Sequence, residues 1–102
     1  MPTIYKVLGQ SAPSATTATT LYTVPSATAT VASTVVVANR SGSAATYRIA
    51  VRPGGATLAN QHYIAFDATA ITVGLTLATT DVVTVFASSA DLSFNLFGSE
   101  IS

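Results

Sequence analysis

His62 is the one histidine of the chain, and a Ser-His-Asp device would have to be built on it, with a hydroxyl and a carboxylate alongside. Serines are so plentiful that the residue types coincide by chance, and no G-x-S-x-G elbow is present. A surface or interface histidine beside Tyr63 accounts for it better. Asp67, Asp81 and Asp91 are oxygen donors for a hard cation, but their spacing matches no EF-hand loop. Asp81 and Asp91 stand where turns favour aspartate. Gly54 and Gly55 follow Pro53 as a turn, and there is no G-x-x-x-x-G-K phosphate loop. Asn39-Arg40-Ser41 fits a glycosylation sequon, but without a signal peptide a hairpin turn accounts for it better. Arg48 and Arg52 fall on one face of one expected strand. They are either solvated or paired with a carboxylate of a neighbouring subunit, which the guanidinium fork suits. The residues therefore predict no catalytic centre, no metal and no cofactor.

Composition favours assembly over chemistry. Only 8% of the 102 residues are charged, against about 25% in an ordinary soluble domain. Four basic residues (Lys6, Arg40, Arg48, Arg52) balance four acidic ones (Asp67, Asp81, Asp91, Glu100). No basic footprint exists for nucleic acid or for a membrane surface. No apolar run approaches the roughly 20 residues of a transmembrane helix. The polar remainder is mostly Thr and Ser mixed with Ala. A surface of that kind, at zero net charge, lacks the repulsion that keeps molecules apart. It is expected to be covered by other subunits. Without cysteine the chain forms no disulfide and no thiolate metal site. Residues 1–10 do not read as a signal peptide, so cytoplasmic synthesis is expected.

The elements that must position these residues are strands. Thr, Val, Ile, Tyr and Phe dominate, and sustained helical spacing is missing. The pattern predicts one domain, residues 1–102, an all-β antiparallel β-sandwich, Greek-key or jelly-roll-like, with about eight strands. The strands are expected at 3–8, 17–24, 28–39, 44–52, 61–66, 70–75 (with an extension to 77), 82–87 and 92–101. A bulge is expected near Ser33–Thr34, and one helical turn is allowed within 56–60. The expected core is Ile4, Leu21, Val35, Val37, Tyr47, Ile49, Val51, Ile64, Phe66, Leu75, Val83, Val85, Phe94 and Leu96. In the last strand Leu92, Phe94 and Leu96 share one face, while Phe97 and Ile101 share the other. Both faces are thus apolar. The strand is either central and covered twice, or it presents its outer face to a neighbour, or a bulge at Gly98 resets the alternation. The sheet edges carry few of the lysines and prolines that usually blunt them.

Three stretches, LYTVPSATATVASTVVVANRS (21–41), AATYRIAVRPGGATLANQHYIAFD (44–67) and TLATTDVVTVFASSADLSFNLFGSEI (76–101), resemble small β-rich virion structural proteins of tailed bacteriophages, cyanophages especially. The motifs are L-Y-T-V-P before a long Val-rich strand, N-R-S in the next turn, and F-N-L-F-G-S-E-I near the end. The resemblance implies a non-enzymatic, oligomeric virion component that cements or decorates a capsid, or sits at the neck, tail or fibre base. It implies self-association, with a trimer as the unit, and contact with major capsid or tail and neck proteins. A carbohydrate-binding β-sandwich is the competing reading. Arg48, Arg52, His62, Tyr63, Phe97 and Ile101 are the expected interface residues.

Overall fold

The computed structural model describes residues 3–68 and 75–102. Eight strands form two four-stranded antiparallel sheets: β1 (Thr3–Ser11), β2 (Thr19–Thr23), β3 (Ala29–Asn39), β4 (Tyr47–Arg52), β5 (Tyr63–Ala68), β6 (Leu75–Leu77), β7 (Val82–Ala87) and β8 (Leu92–Ile101). One sheet has the order β1-β8-β3-β6 and the other β2-β7-β4-β5. The wiring follows a simple rule. β1 pairs with β8, β2 with β7, β3 with β6 and β4 with β5, as in one long hairpin. That hairpin is wrapped so that β3 also meets β8 and β4 also meets β7. This is jelly-roll topology. The hairpin tip holds two three-residue 3-10 turns, Pro53–Gly55 and Asn60–His62. Gly54 and Gly55 take positive φ there, which a residue with a Cβ rarely tolerates.

The core lies between the sheets. Among the described residues Phe94, Ile49, Leu92, Leu96, Val24, Val83 and Val85 are its largest fully buried apolar side chains. Tyr47 meets Phe94 edge-on, ring centroids 5.9 Å apart. Leu21, Val35, Tyr47, Ile49, Val83, Val85, Phe94 and Leu96 are buried as the pattern predicts, and Val37, Val51 and Leu75 pack at the margin. Three expected core residues are exposed instead. Ile4 is 53% exposed because β1, β3 and β8, at nine to eleven residues, overhang the five- and six-residue strands of the facing sheet. Ile64 and Phe66 are exposed because β5 is irregular against β4. Ile49 pairs with Ala65 and Ala50 with Tyr63, so Ile64 is an extra residue and the alternation is reset. Ala65 takes the inward place that the pattern gave to its neighbours.

The bulge in β3 falls at Ser33, where the register shifts between Ala32 and Thr34. A second lies at Leu8 in β1. Both sit opposite the Leu96–Gly98 stretch of β8, so the extra residue is on the flanking strands and not at Gly98. The fifth strand starts at Tyr63, not 61, because Asn60–His62 is a turn. The fourth starts at Tyr47, not 44. Most of the sixth expected strand, 70–74, lies outside the described residues. Lys6 stands on the edge strand β1, beside the Leu8 bulge. This edge therefore carries two of the devices that discourage stray pairing.

Gly98 is where the sheet is tightest. A Cβ built on it would lie 2.8 Å from Ala32 Cα and closer still to the Val31 carbonyl oxygen. Both are backbone atoms of the adjoining strand and cannot swing away. Gly98→Ala is expected to cost about 2 kcal/mol or more, which lowers the thermal midpoint by roughly 8 °C or more. Gly42→Ala, with nothing within 4 Å of the new Cβ, is expected to leave the midpoint nearly unchanged. Thermal denaturation followed by circular dichroism checks both.

Candidate functional site

The outer faces of the two sheets differ in kind. On the β2-β7-β4-β5 sheet, Arg48 projects outward between two rings, its guanidinium carbon 4.0 Å from the Phe66 centroid and 4.5 Å from that of Phe86. Arg48 Nε donates to Asp67 Oδ1 at 2.8 Å. Tyr63 meets Phe66 edge-on at 5.1 Å. Asp67 reaches this position from a positive φ, which Asp adopts more readily than most residues. The Asp67 carboxylate raises the Arg48 pKa. The ladder Phe66–Arg48–Phe86 ties β5, β4 and β7 together across their outer surface. Both rings and the cation are thereby engaged within the chain.

The other expected site residues fall into place around the hairpin tip. Arg52 donates from Nε to the Ala56 carbonyl at 2.7 Å and from its NH groups to Gly55 O and Thr84 Oγ1. It thus holds the Pro53–Gly55 turn. His62 is buried rather than on the surface, and its Nδ1 accepts the Ala59 N–H at 3.0 Å, closing the second turn. Among the described residues no serine or carboxylate bonds to it. Asp81 accepts from Gly54 N–H at 2.8 Å and Ala78 N–H at 2.9 Å. Asn39 Oδ1 accepts from the Ser41 N–H and hydroxyl, which makes the sequon an Asx turn. Among the described residues no three of His, Asp and Glu gather as a metal group.

Between the sheets, at the overhanging end, lies a polar clasp that sequence patterning did not reveal. The Tyr22 hydroxyl donates to Glu100 Oε2 at 2.5 Å. Its single proton being used, it accepts from the Thr30 hydroxyl at 2.8 Å. Lys6 Nζ donates to Glu100 Oε1 at 3.0 Å. Tyr22 and Thr30 are buried. Burial first, and the bond to Glu100 second, push the Tyr22 pKa up to about 12. The Tyr22 hydroxyl, then Lys6, hold the Glu100 carboxyl below its usual value. These four residues are far apart in sequence, and only the wrap of β1, β2, β3 and β8 joins them.

What remains is the outer face of the β1-β8-β3-β6 sheet. Cross-strand register lines up Tyr5, Ser99 and Val31, then Val7, Phe97 and Thr34, with Thr3, Ile101 and Ala29 at one end and Gln10, Asn95 and Val36 towards the other. Tyr5 is 84% exposed, and Val7, Val31 and Val36 are all between 42% and 47% exposed. Phe97 and Ile101 are half-buried on the same face. A depression of about 440 Å³ opens here, lined by Tyr5, Lys6, Val31, Ser33, Phe97, Gly98 and Ser99. Lys6 is the one charged residue at its rim, and its ammonium is committed to Glu100. Of the six expected interface residues, the fold thus brings Phe97 and Ile101 onto this face. It puts Arg48 and Tyr63 on the opposite sheet and Arg52 and His62 at the hairpin tip.

No family model, no curated protein and no solved structure matches the chain.

Two measurements check the site. Glu100 binds its proton less readily in the fold than in the unfolded chain, so its contribution is present above the ordinary carboxylate pKa and is lost as pH falls through the folded value. Tyr22 holds its proton more firmly, so its contribution is present below about pH 10 and is lost as pH rises towards about 12. Thermal midpoints against pH are expected to fall on both sides, with Glu100→Gln flattening the acid limb and Tyr22→Phe softening the alkaline one. Tyr47, raised by burial, keeps part of the alkaline limb in place. At neutral pH Tyr22→Phe leaves buried Thr30 without its partner and is expected to cost about 1–3 kcal/mol. On the opposite sheet, Arg48→Lys is expected to lower the midpoint more than Asp67→Asn. A planar guanidinium fills the slot between two rings as an ammonium cannot, and an exposed ion pair contributes little.

Proposed function

We propose that this protein is a non-enzymatic structural component of a tailed-phage virion and that it assembles through neutral β-sheet surfaces. Capsid cement or decoration is the favoured role, with a neck, tail or fibre-associated position as the alternative. The observation that carries the reading is the outer face of the β1-β8-β3-β6 sheet, where exposed Tyr5, Val7, Val31 and Val36 adjoin Phe97 and Ile101 with no charged side chain among them. A contiguous apolar face on a sheet marks an interaction surface. Burying it against another protein leaves no charge unpaired.

Two lines support the reading from other directions. The sequence resemblance to tailed-phage virion proteins spans residues 21–41, 44–67 and 76–101. Jelly rolls are used by viral capsid domains, and also by lectins and cupins, so the topology contributes by analogy alone. The partners of this reading are sister copies, with a trimer as the unit that the resemblance implies, and a major capsid, tail or neck protein. Its location is the virion, at the capsid surface, after synthesis in a bacterial cytoplasm. It needs no cofactor and no nucleic acid. A carbohydrate-binding module would need an open aromatic platform. Phe66 and Phe86 do not offer one, because Arg48 lies against both rings.

Cryo-electron microscopy of the particle tests the assignment. Density for this fold at local or icosahedral three-folds is the expected result. Density confined to the tail axis moves the protein to the neck or tail, and its absence from particles overturns the reading. Phe97→Asp is expected to reduce incorporation more than Phe94→Leu, measured as copies per purified particle. The first change places a charge on the contact face, and the second shrinks a core side chain between the sheets.

A further inference from the structure

We propose that the outer face of the β1-β8-β3-β6 sheet docks a second copy of this chain about a two-fold axis, with the Tyr5 side chain of each copy seated in the depression beside Tyr5 of the other. This rests on the assembly reading above and names its first contact.

The argument begins with charge. All eight charged residues of the sequence lie among the described residues, and only Lys6 borders this face, at the rim of the depression. Lys6 and Glu100 pair with each other at the inner side of the overhang. Arg48, Asp67 and Arg52 belong to the opposite sheet and its hairpin tip. Arg40, Asp81 and Asp91 are held in turns. A face whose one bordering charge is already paired offers little for a charged partner to read. It is compatible with another face of the same kind, and the copy of itself always meets that condition.

Shape adds a second reason. Tyr5, at 84%, is the most exposed large hydrophobic side chain among the described residues, and it stands at the wall of a depression of about 440 Å³. Cavities of about 300 Å³ already hold small organic ligands, so there is room for a phenol ring. The depression is bordered by Val31, Phe97 and Gly98, and Ser33 and Ser99 supply hydroxyls within the same wall. Knob and hole lie side by side on one patch. A patch that carries both is self-complementary under a two-fold rotation, which is the isologous arrangement of most symmetric dimers. Tyrosine suits such a role, with an apolar ring and a hydroxyl that finds a partner when buried.

Area is the third. Three strands of nine to eleven residues form the body of the face. At about 3.3 Å per residue and about 4.8 Å between strands they offer roughly 500 Å² per copy. Two faces enclose about 1,000 Å², the lower bound of a specific interface. Side chains stacked at a sheet-to-sheet distance of about 10 Å would continue the sandwich into four layers. The contact joins copies in pairs, whether those copies are free or already grouped in threes.

Sedimentation velocity of the full chain over a wide concentration range tests this. The wild type is expected to associate. Val31→Glu and Tyr5→Ala are each expected to weaken association at least about tenfold, the first by burying an unpaired charge and the second by emptying the hole. Thr23→Glu, exposed on the opposite sheet, is expected to leave association unchanged. Circular dichroism confirms that each variant is folded, and Tyr5, at 84% exposure, can be truncated without touching the core. Association that survives both Val31→Glu and Tyr5→Ala overturns the inference while leaving the assembly reading intact. A wild type that stays monomeric at every concentration yet enters particles also overturns it, and leaves the face to a different virion protein. A chain that dimerises as described but is missing from particles supports the contact and removes the virion reading.

Discussion

Strand β8 runs through the middle of its sheet, between β1 and β3, and its side chains alternate between two destinations. Leu92, Phe94 and Leu96 point inward and are all nearly or fully buried. Phe97 and Ile101 point outward and stand on the face left open. A slip of one residue would exchange these two sets, driving Ser93 and Asn95 into the core. The register of β8 is therefore the constraint from which both the core and the candidate interface follow. It is fixed from three sides. Tyr47 meets Phe94 from the facing sheet, and β1 and β3 pair with β8 along almost its whole length. The flanking bulges at Leu8 and Ser33 each absorb one residue next to the same stretch. In both cases the neighbour shifts while β8 itself stays regular, as the tight fit of Gly98 against the β3 backbone requires.

The distribution of charge follows from the same architecture. A jelly roll has two outer faces, two rims of turns and one interior. Here the interior end accepts one carboxylate, Glu100, only because Tyr22 and Lys6 both donate to it. The outer face of the β2-β7-β4-β5 sheet takes two arginines and one aspartate, and its aromatic rings are used to hold Arg48. Phe66 on that face is nonetheless 56% exposed. The other outer face has only Lys6, paired with Glu100, at its rim and keeps its large apolar groups uncovered. The contrast argues that the open face is not a by-product of low overall charge. Most of the charges lock strands or turns, and one sheet surface is left with a single paired charge at its rim.

Much of this was legible in the residues. The last two strands match the expected bounds at both ends, because Asp81 and Asp91 mark the turns before them and uninterrupted β-formers follow. The β3 bulge was legible because the expected run, 28–39, is long enough to favour a bend or bulge. What escaped detection depended on comparing distant strands. Ile4 looks like any inward residue until the facing strands prove too short to cover it. Ile64 and Phe66 follow the alternation of a regular strand, and the pairing with β4 is what breaks it. The pairing of Arg48 with Asp67 spans nineteen positions and that of Lys6 with Glu100 ninety-four, so no local window could propose either. Arg48 read either as solvated or as a partner for a neighbouring subunit's carboxylate, whereas its carboxylate, Asp67, lies in the same chain. His62 read as a surface group because nothing in its neighbours announces that Nδ1 will close a turn.

A neutral open face carries a hazard that the fold contains in part. The same exposed β-surface that can seat a partner can also aggregate, most readily along an unpaired edge. β1 is the long edge of this sheet, and it is also where the chain places its one lysine and one of its bulges. Lys6 is anchored to Glu100, so the charge it brings to the edge and to the rim of the face is already paired. Edge pairing is thus discouraged while face packing stays open. A sheet protected at its rim and bare on its surface is arranged for layered contact with another sheet, and less for extension by another strand. That selectivity, set by where one lysine and one extra residue fall on β1, separates ordered assembly from fibre growth in a chain with so little charge to keep its copies apart.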